Sequence, residues 1–204
     1  MRNPGSLELR HRLLSAGYRS RPGGEPMSVG MLLLRIVVGT LFIGHGTRKL
    51  FGWFGGNGPQ GTAELVGSLR YYPPKTVAIV LGLAETVGGT LLLLGLLTPV
   101  GTALIVGVMV SAILVVHAPR GVWNTDGGLE LPLVYIVASL AAALAPGRFS
   151  LDHVLGIAWN GRVAAIAALG VGIIVAVGLA VRRDVVQPEP STEELPTRKR
   201  DRAA

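Results

Sequence analysis

Cysteine is absent from these 204 residues. That excludes disulfides, iron–sulfur ligation by this chain and any thiol relay of its own. It says nothing about compartment. Charge is scarce as well: Asp, Glu, Lys and Arg make up 15% of the chain and hydrophobic side chains 50%, whereas soluble domains run near roughly 25% charged. With a mean hydropathy of +0.52, the chain is too apolar for an ordinary soluble domain, for disorder throughout or for a collagen repeat. Its Gly-rich loop has no strand before it and no Gly-Lys-Ser/Thr after it, so it is not a phosphate cradle. In the apolar helices no two His, Asp or Glu stand at i, i+3 or i+4, which argues against a metal site.

What the chain does have is length of apolar run. A bilayer crossing needs roughly 20 apolar residues at a rise of about 1.5 Å each. Five stretches approach or reach this: 29–50, 76–97, 100–116, 131–145 and 163–181. The last contains only Ala, Val, Leu, Ile and Gly, and no soluble helix needs to be apolar on every side. A short turn at Thr98-Pro99 makes the second and third helices antiparallel neighbours. The expectation is an all-α integral membrane protein, a four-helix bundle with a fifth C-terminal span. Glycine, 29 of 204 residues, is about twice its usual share and reads as close helix packing.

Residues 1–28 hold five Arg with Gly and Pro and lack a signal-peptide pattern; they read as a disordered basic segment, and Met27 is a plausible alternative start. Residues 182–204, rich in Pro, Glu and Arg, read as a disordered charged tail. The formal net charge of +7 sits mainly at the two ends and in one loop, the distribution of membrane-flanking segments rather than of a nucleic-acid arm. Five crossings put the termini on opposite faces. The face where the first span begins, side A, then has seven Lys and Arg; the opposite face, side B, has eleven, namely Arg48, Lys49, Arg70, Lys75, Arg120 and six in the tail. The positive-inside rule favours side B as cytoplasmic, while the basic N-terminal segment pulls the other way. Orientation stays open at this point.

Ionisable groups inside a span are costly and are functional candidates by default. With straight helices, Arg35 lies roughly 9 Å in from side A, Glu85 roughly 18 Å, His45 roughly 24 Å and His117 roughly 26 Å. His45, Glu85 and His117 therefore reach a common level toward side B, where Arg48 and Glu130 also lie. The plainer alternatives are a helix-pairing role for Glu85, with Arg35 or His45 as its partner, and interfacial hydration of the two histidines. A bis-histidine haem needs imidazoles facing across a cofactor-sized gap, which two histidines on different helices permit but do not establish. Ala84-x-x-x-Gly88, with Gly82 and Gly89, and the first-span Gly39, Gly44 and Gly46 mark packing surfaces. Phe51, Trp53 and Phe54 suit the interfacial aromatic belt or the floor of a site for a flat lipophilic ligand. Arg48 and Lys49 add positive charge to that rim, ordinarily as headgroup contacts.

Several separated blocks resemble the DoxX family of small bacterial membrane proteins. They are Leu34-Arg35-Ile36-Val37-Val38-Gly39, Phe42-Ile43-Gly44-His45-Gly46, Lys49 through Gly56, Gly61-Thr62-Ala63, Gly82-Leu83-Ala84-Glu85 with Gly88-Gly89, Leu94 through Pro99, Val116-His117, and Gly147 through Asp152. The resemblance covers about 30–153. It implies a four-helix membrane core over 29–153 and an association with oxidoreductase systems, through quinone-linked thiosulfate oxidoreductase subunits and a membrane complex that detoxifies oxidants. The fifth span and the tail lie outside that core.

Two readings follow. In the first, a multi-pass protein of the bacterial inner membrane serves as subunit or accessory of an oxidoreductase system and binds a quinone or similar lipophilic redox ligand near side B. Glu85 and His45 relay protons, His117 assists, and Arg35, Arg48, Trp53 and Glu130 contact the ligand, with Arg35 balancing Glu85. A quinone is the favoured cofactor over haem, the lipid bilayer and redox enzymes are the expected partners, and any electron transfer depends on a bound group or partner. In the second, a non-catalytic membrane scaffold recruits soluble oxidant-detoxifying enzymes. A transporter is disfavoured by the lack of an inverted repeat or broken mid-span helix.

Overall fold

The computed structural model describes residues 24–185; most of the expected N-terminal segment and of the charged tail lies outside them. All regular elements among the described residues are helical. Helix α1 runs Gly24–Phe51, α2 Gly58–Ser68, α3 Pro74–Leu94, α4 Thr98–Ala112, α5 Glu130–Leu144, α6 Leu151–Val154 and α7 Gly161–Val185. Residues 24–28 thus open α1, and α7 continues past 181 to Val185.

Four of these helices are long and apolar enough to cross a membrane: α1, α3, α4 with its extension to Arg120, and α7. Helix α5 has 15 residues and measures roughly 22 Å. It still carries the chain from side B to side A, because its last carbonyl, on Leu144, lies against Gly161 at the start of α7.

The turn between α3 and α4 differs from the expected one. Gly95, at φ 62°, caps α3 in the left-handed region, and Thr98 and Pro99 form the first turn of α4. Both choices follow from backbone chemistry: glycine takes positive φ without a Cβ clash, and proline at a helix start gives up an N–H that would have no partner there. Helix α2 lies in the connection between the first two apolar stretches. Pro59 starts it, and Thr62, Ala63 and Val66 bury its inner side.

Glycine sets the α1–α3 spacing. A Cβ on Gly89 would stand 2.7 Å from the Gly39 carbonyl oxygen, and one on Gly46 would stand 2.6 Å from that of Gly82. The two pairs are seven residues apart on each helix and run antiparallel, so backbones touch over two turns. Gly88 against Gly101 repeats the device between α3 and α4, and Gly107 against Gly172 between α4 and α7. In lipid, where burying apolar surface gains little, such close approach is the main source of helix association. Gly44 was expected to share this role, but nothing lies within 4 Å of a Cβ built there. Phe42, Leu92, Ile105 and Ala142 fill the centre. Phe42 meets Tyr135 edge-on, ring centroids 5.3 Å apart, worth about 1 kcal/mol.

Candidate functional site

Polar side chains gather at both ends of the bundle, in different ways. At side A, Arg35 is 1% exposed. Its Nη1 donates to the Pro146 carbonyl at 2.6 Å and its Nη2 to that of Phe149 at 2.8 Å. Asp152, also 1% exposed, supplies the opposing charge. Its Oδ1 accepts the Leu97 N–H at 2.7 Å, and its Oδ2 accepts the Thr98 N–H at 3.0 Å and hydroxyl at 2.7 Å. The carboxylate therefore caps α4, whose first N–H groups have no partner within the helix. The Asp152 N–H returns to the Gly95 carbonyl at 2.8 Å. Glycine is required at 95 twice over, since a Cβ would run into Arg35 and Ser150. The expected partnership of Arg35 with Glu85 is replaced by this knot: the guanidinium turns toward the near end of the bundle, where free carbonyls of the α5–α6 loop are closer than the carboxylate.

At side B, Glu85 is 4% exposed and pairs with Lys49, whose Nζ donates to Oε2 at 2.5 Å. For Lys49, its position on the rim suggests a headgroup contact; the structure turns it inward instead. His45, Arg48 and Lys49 stand at i, i+3 and i+4 on one side of α1, as helical spacing requires. Together with Gly56, Asn57, Thr62 and Leu65 they line a cleft of about 130 Å³ between α1 and α2. The cleft exists because the 52–58 loop folds back on the last turn of α1. Gly52, Gly55 and Gly58 adopt positive φ, and Gly56 lies against the Arg48 backbone. His45 and Arg48 are exposed and make no hydrogen bond or ion pair among the described residues. Trp53 packs on Phe51 at 5.2 Å and on Phe54 at 6.4 Å, an exposed aromatic apron beside the cleft.

His117 and Glu130 belong to a separate unit. A π turn at Ile113–His117 ends α4, and His117 Nδ1 donates to the Gly127 carbonyl at 2.6 Å. Glu130 Oε2 accepts the Asn124 N–H at 3.0 Å. Both thus hold the 121–130 loop, and neither lines the α1–α2 cleft. The π turn explains why straight-helix reasoning misjudges His117: the wider turn alters the angle at which the next side chains leave the axis. Of the residues singled out from sequence, the structure gathers His45, Arg48 and Glu85 around Lys49, leaves Trp53 beside them, sets His117 and Glu130 on the neighbouring loop and puts Arg35 at the opposite end. Sequence reasoning gave no role to Asn57, Thr62 or Asp152. Asp152 had a usable signal, an acid two residues after Ser150 within a short stretch that also holds Phe149, Leu151, Val154 and Leu155.

The DoxX family model matches residues 30–118. A relative from Bacillus subtilis (strain 168), named "Putative oxidoreductase CatD", is 31% identical over 125 residues, which cover 61% of this chain and 85% of the relative. No solved structure matches. The cleft, its Lys49–Glu85 pair and the α3–α4 turn all fall inside the matched region, and the chain belongs to the DoxX family.

Proposed function

We propose that the chain is a membrane subunit of an oxidoreductase system in the bacterial plasma membrane, and that its α1–α2 cleft takes the ring of a quinone-type ligand from the bilayer. One observation carries this reading: Lys49, paired with the buried Glu85, lines a cleft whose other basic groups, His45 and Arg48, are unengaged among the described residues. An ammonium and an imidazole suit a ring bearing carbonyl oxygens, Leu65 offers an apolar wall, and the aromatic apron lies where an isoprenoid tail would leave. Reducing a quinone takes two electrons and two protons. This chain has no cysteine for an iron–sulfur centre, so a partner enzyme supplies the electrons. His45 and the Lys49–Glu85 couple hold and pass the protons. The relative's name, an oxidoreductase, agrees with this class.

Charge supports side B as the cytoplasmic end. Among the described residues that face has Arg48, Lys49, Arg70, Lys75, Arg120, Arg182 and Arg183, while side A has Arg148 and Arg162. The electron donor is then a cytoplasmic enzyme docking over the apron and the 121–130 loop. The unit that performs this work is the four-helix core over 29–153, with α7 as an addition.

Trp53 makes the test direct. In a chain carrying Trp123→Phe and Trp159→Phe, quenching of Trp53 by a decyl-substituted benzoquinone in liposomes should saturate. Lys49→Met and His45→Ala should each weaken it by roughly tenfold, as loss of one hydrogen-bonding partner does. Quenching that stays linear in quinone and ignores both substitutions would overturn the reading. If it did, and soluble enzymes still copurified with the membranes, a non-catalytic scaffold would replace it. Orientation has its own check, because a cysteine-free chain accepts single reporters: Trp123→Cys in intact cells should resist an impermeant maleimide, and labelling there would reverse the assignment.

A further inference from the structure

A second cleft, larger than the one between α1 and α2, lies at the other end of the molecule, and neither the knot nor the quinone reading uses it. It measures about 410 Å³ and is lined by Ser28 of α1, Pro146 and Arg148 after α5, Asp152 and His153 of α6, and Trp159 before α7, among others. Its depth in the membrane follows from α6. Asp152 points inward, while Phe149, Leu151, Val154 and Leu155 are exposed. Four exposed apolar groups around one buried acid suit an outer side that meets acyl chains at the headgroup boundary. Trp159, 39% exposed on the cleft wall, is the side chain expected at that level.

The polar lining is unequal in sign. The Asp152 carboxylate faces the cleft but is already engaged by three donors from Leu97 and Thr98. Ser150 is committed too, donating to the Gly147 carbonyl and accepting from the His153 N–H. Ser28 accepts the Arg148 N–H at 3.4 Å. What stays available is the Arg148 guanidinium and the exposed His153 imidazole. Among the described residues Arg148 has one acidic partner, Glu25, at 3.6 Å, and both side chains are largely in solvent. So exposed a pair is weak, and a phosphate offering two oxygens to the guanidinium competes well with it.

We propose that this cleft is a binding site for an anionic phospholipid, with its phosphodiester on Arg148 and His153 and its glycerol–acyl junction over Ile157 and Trp159. Such a lipid would fill the gap between the starts of α1 and α7, on the outer surface of the side A knot. It would act as a bound component of the bundle rather than as bulk solvent.

Trp159 can report on its own occupancy. With Trp53→Phe and Trp123→Phe, the full chain is reconstituted in phosphatidylcholine vesicles containing small fractions of brominated phosphatidylglycerol. Trp159 quenching should saturate at a lipid fraction roughly tenfold below that of the Arg148→Gln/His153→Gln variant. Arg162→Gln removes a nearby charge that does not line the cleft, and it should leave the curve where it was. Equal curves for the intact and doubly substituted sites would overturn the proposal. So would an Arg162→Gln shift as large as the double variant's, since that is general attraction of anionic lipid. Protection by millimolar inorganic phosphate would identify a soluble anion instead and overturn the lipid assignment. Because both altered side chains are exposed, folding is not at stake, and an unchanged thermal midpoint checks that.

Discussion

Each end of this bundle buries an acid with a base beside it, Lys49 being only partly covered, yet the two ends dispose of these charges differently. At side A, the hydrogen bonds of Arg35 and most of those of Asp152 go to backbone groups of the turns that join the helices, and Arg35 Nε is left without a partner among the described residues. At side B, Lys49 and Glu85 spend theirs on each other, with a cleft alongside. A charge tied to backbone fixes geometry, because its partners belong to the turns themselves and cannot move away. A charge tied only to another side chain can release its partner when a ligand offers a better one. Under the proposed function the contrast separates a structural use of charge from a chemical one, and it can be broken experimentally.

The largest effect should come from Asp152→Ala. It strands two N–H groups and one hydroxyl in a site closed to water, at a cost of roughly 3 kcal/mol or more. Thermal unfolding in detergent should show it as a large fall in midpoint or in folded yield. A small fall would mean that the knot is ornamental and the contrast false. Next is Lys49→Met, which leaves Glu85 buried without its counter-charge and costs about 3 kcal/mol. The double variant Lys49→Met/Glu85→Gln should regain most of that stability while quinone binding stays lost. If it regained both, the pair would be structural like the one at side A.

Gly89→Val comes third. Its new side chain meets the Gly39 carbonyl and Ile43 backbone, so overpacking by about 1–3 kcal/mol is expected. Gly44→Ala, on the open side of the same pair of helices, should be neutral or gain up to about 1 kcal/mol from helix propensity. Equal losses at both positions would show that the α1–α3 contact is not what holds the two ends in register.

Tyr71 should give the smallest effect. It lies between α2 and α3, 9% exposed, with its hydroxyl unpartnered among the described residues. Burial, opposed in part by Arg183, pushes its phenol above the usual value. The folded state therefore holds this proton more tightly than the unfolded one, and stability falls as pH rises past roughly 10, where the unfolded phenol ionises first. Tyr71→Phe should change stability by less than about 1 kcal/mol at neutral pH and should flatten that alkaline loss. A denaturant series at pH 8 and 11 measures both.

The spans were legible because crossing a membrane is a local property: length and polarity of one segment decide it. The glycine pairs were half legible. Their presence pointed to close packing, but Gly44 and Gly46 differ by only two residues and one faces lipid while the other faces α3. Pairing was not legible at all. Lys49 reads as a rim charge until the antiparallel register sets it beside Glu85, and Asp152 gains its role only when the chain brings it back to residues 97 and 98. The surroundings of His117 were not legible either, because they depend on a π turn and on a loop closing over it.

The side A knot also imposes an order on biogenesis. Arg35 enters the membrane with the first helix, but the carbonyls that receive it belong to Pro146 and Phe149, more than a hundred residues later in synthesis. Until that stretch emerges, the nascent bundle holds an uncompensated guanidinium within lipid, and the amino end of α4 lacks its cap. Completion of the fold is therefore a single late event, and a chain truncated before Asp152 should be recognised and degraded as immature rather than persist as a smaller bundle.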